Sequence, residues 1–180
     1  MRITKLSVRD FRRYREFEVP LAPGLTIVHG PNEAGKTTIQ RALELVLTRK
    51  ATAGGAEIDG FRSWDAAEEA RPVIGIEFEI DDDNGNGNGR GPKRGSVEKE
   101  FRGQKGTVRL EVDGQVITDP TLADQALAEL TGIPTEAFFR STASVRHHEL
   151  ADIERDESAL HDRLQASISG ADLGTSRAKR

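Results

Sequence analysis

A glycine-rich segment constrains the fold of this chain more than any other feature. Residues 30–37 read Gly-Pro-Asn-Glu-Ala-Gly-Lys-Thr, which matches the pattern of glycine, four residues and Gly-Lys-Thr. The β-rich run at 25–29 precedes the segment, and apolar residues at helical spacing follow it from Lys36 to about Leu47. We therefore expect a strand, a glycine loop and a helix in direct succession.

This arrangement suits a loop that wraps phosphate groups. Glycines permit close backbone approach, successive N–H groups form an anion nest, and the helix adds the positive end of its dipole. Lys36 is predicted to lie between the β and γ phosphates as a catalytic residue, Thr37 to bind Mg²⁺, and Thr38 to bond the α phosphate. The predicted loop contacts are Pro31, Asn32, Glu33, Ala34, Gly35, Lys36, Thr37 and Thr38. A GTPase would need an Asn-Lys-x-Asp motif, which the sequence lacks, so the expected cofactors are ATP and Mg²⁺.

The amino-acid composition narrows the classes of protein to which the chain can belong. The 180 residues suit one domain, and the formal net charge of -4 argues against a strong positive field for nucleic acid. The absence of cysteine excludes a disulfide framework and a thiolate metal site. The sequence has neither a leader-like N-terminus nor a run approaching the ~18 apolar residues of a membrane helix. We expect a cytoplasmic protein with no membrane partner.

The rest of the chain alternates between strand-like and helical stretches. Strands are predicted at 3–8, 17–21, 73–80, 97–102 and 107–112, with an Asp113-Gly114 turn into a last short strand. Residues 73–117 should form an antiparallel meander beside the phosphate-loop core, giving mixed sheets, with 81–89 as a mobile hairpin loop. Helices are predicted from Asp119 to Gly132, from Thr135, and over 157–169. Trp64 is expected to anchor the core.

The start of the chain resembles the SMC-like branch of ABC ATPases. The matching features are a first strand, the segment Asp10-Phe11-Arg12-Arg13-Tyr14, a second strand and residues 25–38. That branch includes structural-maintenance-of-chromosomes (SMC) proteins, SbcC-type ATPases, and the RecF and RecN repair proteins. The implied fold is an α/β P-loop NTPase, namely the N-terminal lobe of an ABC ATPase head with an antiparallel β meander.

The resemblance also implies further site residues. In relatives, the basic residue after the phenylalanine reaches the nucleotide phosphates, and that position matches Arg12, with Arg13 next. Residues 138–150 resemble the segment that carries the Q-loop glutamine, which touches the metal and the attacking water. The matching position here is His147, which is therefore a candidate catalytic and metal-binding residue. Its imidazole would make the site pH-sensitive.

Other parts of such a site are missing from the sequence. We find no buried strand ending in Asp-Glu, no Ser-Gly-Gly signature and no histidine beyond His161. We therefore expect residues 1–180 to form an N-terminal lobe that binds ATP without turning it over. Its predicted segments are strands, loop and first helix (1–50), meander (73–117), helical Q-loop-like stretch (119–153) and possible coiled-coil root (154–180).

The function implied by the resemblance is ATP-driven head dimerisation in DNA double-strand-break repair or chromosome organisation. The expected partners are the C-terminal lobe of the same head, a second head, DNA and a nuclease subunit. Candidate DNA-binding patches are 90–94 and Arg102 with Lys105. Three alternatives remain open. The first is a regulator or defence ATPase of the same branch that does not act on DNA, and the second is a stand-alone P-loop kinase. The third is a nucleotide-gated binding module with no turnover of its own.

Overall fold

A computed structural model provides the structure, which describes residues 1–54, 58, 60–80 and 92–144. The chain divides into two compact units, Met1–Gly132 and Ile133–Arg180. The first unit contains strands β1 (Arg2–Phe11), β2 (Tyr14–Pro20), β3 (Val73–Ile80), β4 (Lys93–Glu100), β5 (Thr107–Val112) and β6 (Gln115–Ile117). It also contains helices α1 (Lys36–Thr48) and α2 (Pro120–Thr131) and a 3-10 turn at Gly103–Lys105. In the second unit the described helix is α3 (Glu136–Thr142).

All six strands belong to one antiparallel sheet with the order β2-β1-β3-β4-β5-β6. The predicted meander is confirmed, since β3 to β6 follow one another in the sheet. The expectation of mixed sheets is wrong for the described residues, because every strand pair there is antiparallel and the pairing of β1 with β3 joins the strands before the loop to the meander. Leu6 lies opposite Ile76 and Val8 opposite Ile74, so the apolar positions of these strands share one face.

That apolar face forms the core together with the two helices. Helix α1 packs on β3 and β4, α2 packs on β5, and the two helices contact each other. The buried side chains of this layer include Leu6, Val8, Ile74, Ile76, Phe78, Val97, Leu110, Ala42, Leu45, Val46, Ala123 and Leu127. Full burial of each large apolar side chain contributes about 1.5–3 kcal/mol. This layer therefore holds α1, and with it the glycine loop, on the sheet.

The boundaries of α2 follow from its capping residues. The Asp119 carboxylate accepts bonds from the N–H groups of Thr121 and Leu122, both at 2.9 Å, and Pro120 occupies the first turn. Gly132 ends the helix with φ 68, in the left-handed region that glycine adopts without a Cβ clash. The predicted start and end of this helix are confirmed.

A buried lysine links α1, α2 and β4. Lys99 is fully buried at an inward position of β4, opposite Ile74. Its Nζ donates to the Arg49 carbonyl at 2.8 Å, just after α1, and to Asp124 Oδ1 of α2 at 2.7 Å. A cation is favoured at a helix C-terminus. Burial lowers the pKa of Lys99 below its ordinary value, although Asp124 acts in the opposite direction.

Two local predictions are wrong. Residues 25–29 form no strand, and Leu25 and Ile27 are 83% and 74% exposed. A strand needs a neighbour for its N–H and C=O groups, and no described strand lies beside this run. Trp64 is 90% exposed instead of anchoring the core. The neighbouring residue Ser63 is buried, and the Ser63 N–H donates to the Asp10 carbonyl at 3.0 Å.

Within the described residues, no helix combines the length and apolar character that crossing a membrane requires. The predicted hairpin loop at 81–89 and the predicted helix at 157–169 lie outside the described residues.

Candidate nucleotide-binding site

The glycine loop enters α1 through a left-handed residue. Gly35 is the N-cap, with φ 96 and ψ 11, and no side chain caps the helix. Glu33 also has a positive φ, at 64. Such left-handed turns before a helix point successive N–H groups towards the same side, which is the geometry of an anion nest.

Three adjacent N–H groups of this loop are available for a ligand. The N–H of Ala34 donates to the Pro31 carbonyl at 3.2 Å, and that of Thr38 to the Gly35 carbonyl at 2.9 Å. Between them, the N–H groups of Gly35, Lys36 and Thr37 have no backbone acceptor among the described residues. The first N–H groups of a helix have no intrahelical acceptor. Together with the helix dipole they form a donor set that fits a phosphate group.

Lys36 folds over the loop that precedes it. Its Nζ donates to the carbonyls of Gly30 at 2.8 Å and Pro31 at 2.7 Å. These carbonyls are neutral acceptors, so an anionic phosphate oxygen would make a stronger bond with the same ammonium, because both partners would then be charged. The Lys36 ammonium could therefore exchange these carbonyls for a phosphate oxygen and still lie beside the loop.

The two threonines after Lys36 differ in exposure. Thr37 is exposed, whereas Thr38 is 6% exposed. An exposed hydroxyl beside a phosphate cradle is a suitable hard oxygen ligand for Mg²⁺. Of the other predicted contacts, Pro31, Asn32 and Glu33 are exposed, and Ala34 is half-buried.

The turn between β1 and β2 brings Arg13 and Tyr14 against the loop. A Cβ added at Gly35 would lie 2.8 Å from Arg13 Cδ and 2.5 Å from the Tyr14 hydroxyl. That hydroxyl donates to the Ala34 carbonyl at 3.2 Å, and the Tyr14 ring stacks on Phe17. Sequence reasoning did not assign Tyr14 a role. Its position directly after the paired arginines was the signal that could have indicated one.

Arg12 has a different environment. Its φ is 53, its N–H donates to the Phe61 carbonyl at 2.6 Å, and its guanidinium lies 5.2 Å from the centre of the Phe61 ring. Arg41 of α1 lies over the same ring at 5.5 Å. Arg13, rather than Arg12, is therefore the arginine that lies beside Gly35. The roles of Arg12 and Arg13 as phosphate contacts stay predictions.

His147, the predicted catalytic and metal-binding residue, lies outside the described residues. In the part of the chain that is described, no three His, Cys, Asp or Glu side chains are grouped so that they could hold a metal ion. Thr37, with its exposed hydroxyl at the start of α1, stays a candidate ligand for Mg²⁺. The helix predicted from Thr135 is confirmed, since the Thr135 hydroxyl caps α3 by accepting from the Phe138 N–H at 3.1 Å.

Comparison with known proteins gives consistent results. A family model described as an AAA domain matches residues 5–160. The chain is 44% identical over 57 residues to the DNA replication and repair protein RecF of Roseiflexus castenholzii, covering 32% of this chain and 14% of the relative. It is 28% identical over 137 residues to RecF of Magnetococcus marinus, covering 74% of this chain and 31% of the relative. The chain thus spans less than a third of the length of either RecF protein.

Among solved structures, the fold is similar to one described as "Structural biochemistry of ATP-driven dimerization and DNA stimulated activation of SMC ATPases". The TM-score is 0.61 at 18% identity, and the match covers 91% of this chain and 99% of the other. At this identity the likeness concerns the fold. It agrees with the N-terminal half of an SMC-like ABC ATPase head, an α/β P-loop NTPase fold.

Proposed function

The chain belongs to the AAA-domain family whose model matches residues 5–160, and from this premise we propose that it is the ATP-binding lobe of an SMC/SbcC-like ATPase. In the complete protein, ATP would close two heads into a dimer and hydrolysis would release them. The observation that carries the proposal is the donor set at the start of α1. Three adjacent N–H groups, the Lys36 ammonium and the Thr37 hydroxyl together match a triphosphate with Mg²⁺.

The exposed run before the loop supports a second lobe as partner. Leu25, Ile27 and Val28 are 83%, 74% and 41% exposed, although their sequence is typical of a buried strand. An exposed apolar run whose backbone groups pair with no strand among the described residues is expected to gain a neighbouring strand. We propose that the C-terminal lobe of the same head covers it and supplies the acidic groups for hydrolysis.

Action on DNA is the least direct part of the proposal. It rests on the RecF relatives, which are described as DNA replication and repair proteins, while the net charge of -4 gives no support. Among the candidate patches, Arg102 and Lys105 are exposed, and the Arg94 side chain is 86% exposed. Arg90 lies outside the described residues. A nuclease subunit as partner stays a prediction. DNA binding that weakens steeply with salt would support this part, and its absence would favour the regulator or defence alternative.

The kinase alternative is less favoured by the described fold. The strands that follow α1 in the described residues are antiparallel, whereas parallel strands usually follow the loop helix in a small-molecule kinase. ATP turnover by the chain alone separates the two. We expect ATP turnover only after the complementary lobe is added. Lys36→Ala should abolish this turnover. Lys50→Ala, which removes an exposed lysine just after α1, should leave it intact. Robust turnover without that lobe would refute the half-head account and favour the kinase.

A further inference from the structure

Tyr14 makes two contacts with the end of the glycine loop. Its hydroxyl donates to the Ala34 carbonyl at 3.2 Å. It also lies so close to Gly35 that a Cβ there would be 2.5 Å from the hydroxyl oxygen and 2.8 Å from Cζ. The ring also stacks on Phe17, with centroids 4.6 Å apart and an interplanar angle of 23°. Tyr14, the first residue of β2, is thus a half-buried residue whose side chain contacts both Phe17 and the loop.

The hydroxyl contact has a consequence for the next N–H group. A trans peptide is planar, so the Ala34 carbonyl and the Gly35 N–H belong to one rigid unit and point in opposite directions. Because Tyr14 holds the carbonyl, the Gly35 N–H is turned away from Tyr14. That N–H is the first of the three groups that have no backbone acceptor among the described residues.

External support matters for the peptide before Gly35, because the bonds from the Thr38 and Ile39 N–H groups hold only the Gly35 carbonyl. Glycine adopts φ 96 without the penalty of a Cβ, but it also adopts many other conformations at similar energy. The N-cap has no side-chain bond of its own, so nothing within α1 fixes the peptide before Gly35. A bond from a neighbouring strand can supply what the missing cap does not.

We propose that Tyr14 is a positioning residue for phosphate binding, because its hydroxyl orients the Ala34–Gly35 peptide so that the Gly35 N–H faces the nucleotide. This inference rests on the proposed function of the same loop. Tyr14 does not touch the ligand in this account. Its effect is to preorganise one donor, which lowers the cost of ordering the loop when phosphate binds.

The test is Tyr14→Phe, which keeps the ring and its stacking on Phe17 but removes the hydroxyl. The matched control is Thr48→Val, which removes another hydroxyl-to-carbonyl bond, from Thr48 Oγ1 to the Glu44 carbonyl at 2.6 Å, at the opposite end of α1. By isothermal titration we expect Tyr14→Phe to weaken Mg-ATP binding about three- to tenfold, the range for loss of one hydrogen bond. Thr48→Val should bind like the wild type.

Two further measurements separate positioning from a general loss of stability. Inorganic triphosphate, which lacks the base and sugar, should lose affinity by the same factor as Mg-ATP. The Gly35 amide signal in nitrogen-15 NMR spectra of the ligand-free protein should shift in Tyr14→Phe and stay in place in Thr48→Val. If Tyr14 only stabilised the fold, Tyr14→Phe would lower the melting temperature but would bind Mg-ATP as tightly as Thr48→Val does.

The outcomes also distinguish this inference from the proposed function. If the wild type binds Mg-ATP and Lys36→Ala does not, while Tyr14→Phe binds as tightly as the wild type, the positioning role is wrong and the proposed function stands. If the wild type binds neither Mg-ATP nor triphosphate, both are wrong.

Discussion

At the scale of single residues, the turn between β1 and β2 separates two neighbouring arginines. Arg12 adopts a left-handed backbone conformation, with φ 53, and its side chain lies over Phe61. The Cδ atom of Arg13 lies beside Gly35. The family resemblance indicated Arg12 first, because sequence position alone does not reveal a left-handed residue. The local conformation of this turn therefore determines which of the two arginine side chains lies beside the loop in this structure.

Trp64 provides a direct optical test at the residue scale. It is the one tryptophan in the chain and is 90% exposed, while Asp65 beside it is bound by the Arg15 side chain at 3.0 Å. We expect fluorescence emission typical of an indole in water and nearly full quenching by acrylamide. Unfolding in urea should hardly shift the emission maximum. A blue-shifted maximum that moves to longer wavelength on unfolding would instead support the core position predicted from sequence.

At the scale of elements, Lys99 connects the loop helix to the meander. It joins the end of α1 to α2 across β4, and burial lowers its pKa below the ordinary value of 10.5. Between the lowered pKa and 10.5 the unfolded chain binds more protons at this site than the folded chain. The contribution of Lys99 to the free energy of unfolding therefore rises with pH through that window.

The corresponding prediction compares Lys99→Met with the wild type. At neutral pH the variant should be less stable by about 2 kcal/mol, because the Asp124 carboxylate and the Arg49 carbonyl lose their donor. The difference in free energy of unfolding should then grow as pH rises from the lowered pKa of Lys99 towards 10.5. Urea unfolding at a series of pH values measures it, with Lys105→Met, an exposed lysine, as control. A difference that shrinks with rising pH would contradict the assigned sign.

At the scale of the whole molecule, sequence patterns predicted elements better than their assembly. The capping residues Asp119 and Gly132 fixed the limits of α2, and β3 and β5 coincide with their predicted ranges, because local chemistry determines these features. The pairing of β1 with β3 could not be predicted, since it joins residues far apart in sequence. The contact of Tyr14 with the Ala34 carbonyl depends on the same long-range packing. The run at 25–29 read as a strand because its side chains suit one, but a strand also requires a neighbour.

That exposed run gives a prediction about assembly. Leu25→Lys combined with Ile27→Lys should leave the melting temperature of this chain within about 1 °C of the wild type, because surface substitutions rarely change stability. The same double variant should prevent stimulation of ATP turnover by the complementary lobe. Val116→Lys, at a 43% exposed position of β6, serves as the control and should leave stimulation intact. Normal stimulation of the double variant would mean that this run is not the surface covered by that lobe.

The central claim is that the loop at the start of α1 binds a nucleoside triphosphate. Isothermal titration of the chain with Mg-ATP, compared with Lys36→Ala and with Lys50→Ala, tests this most directly. We predict saturable binding by the wild type and by Lys50→Ala. We predict loss of binding in Lys36→Ala, because the ammonium that now bonds the Gly30 and Pro31 carbonyls would be gone. Binding that is unchanged in Lys36→Ala, or no binding by the wild type, would contradict it.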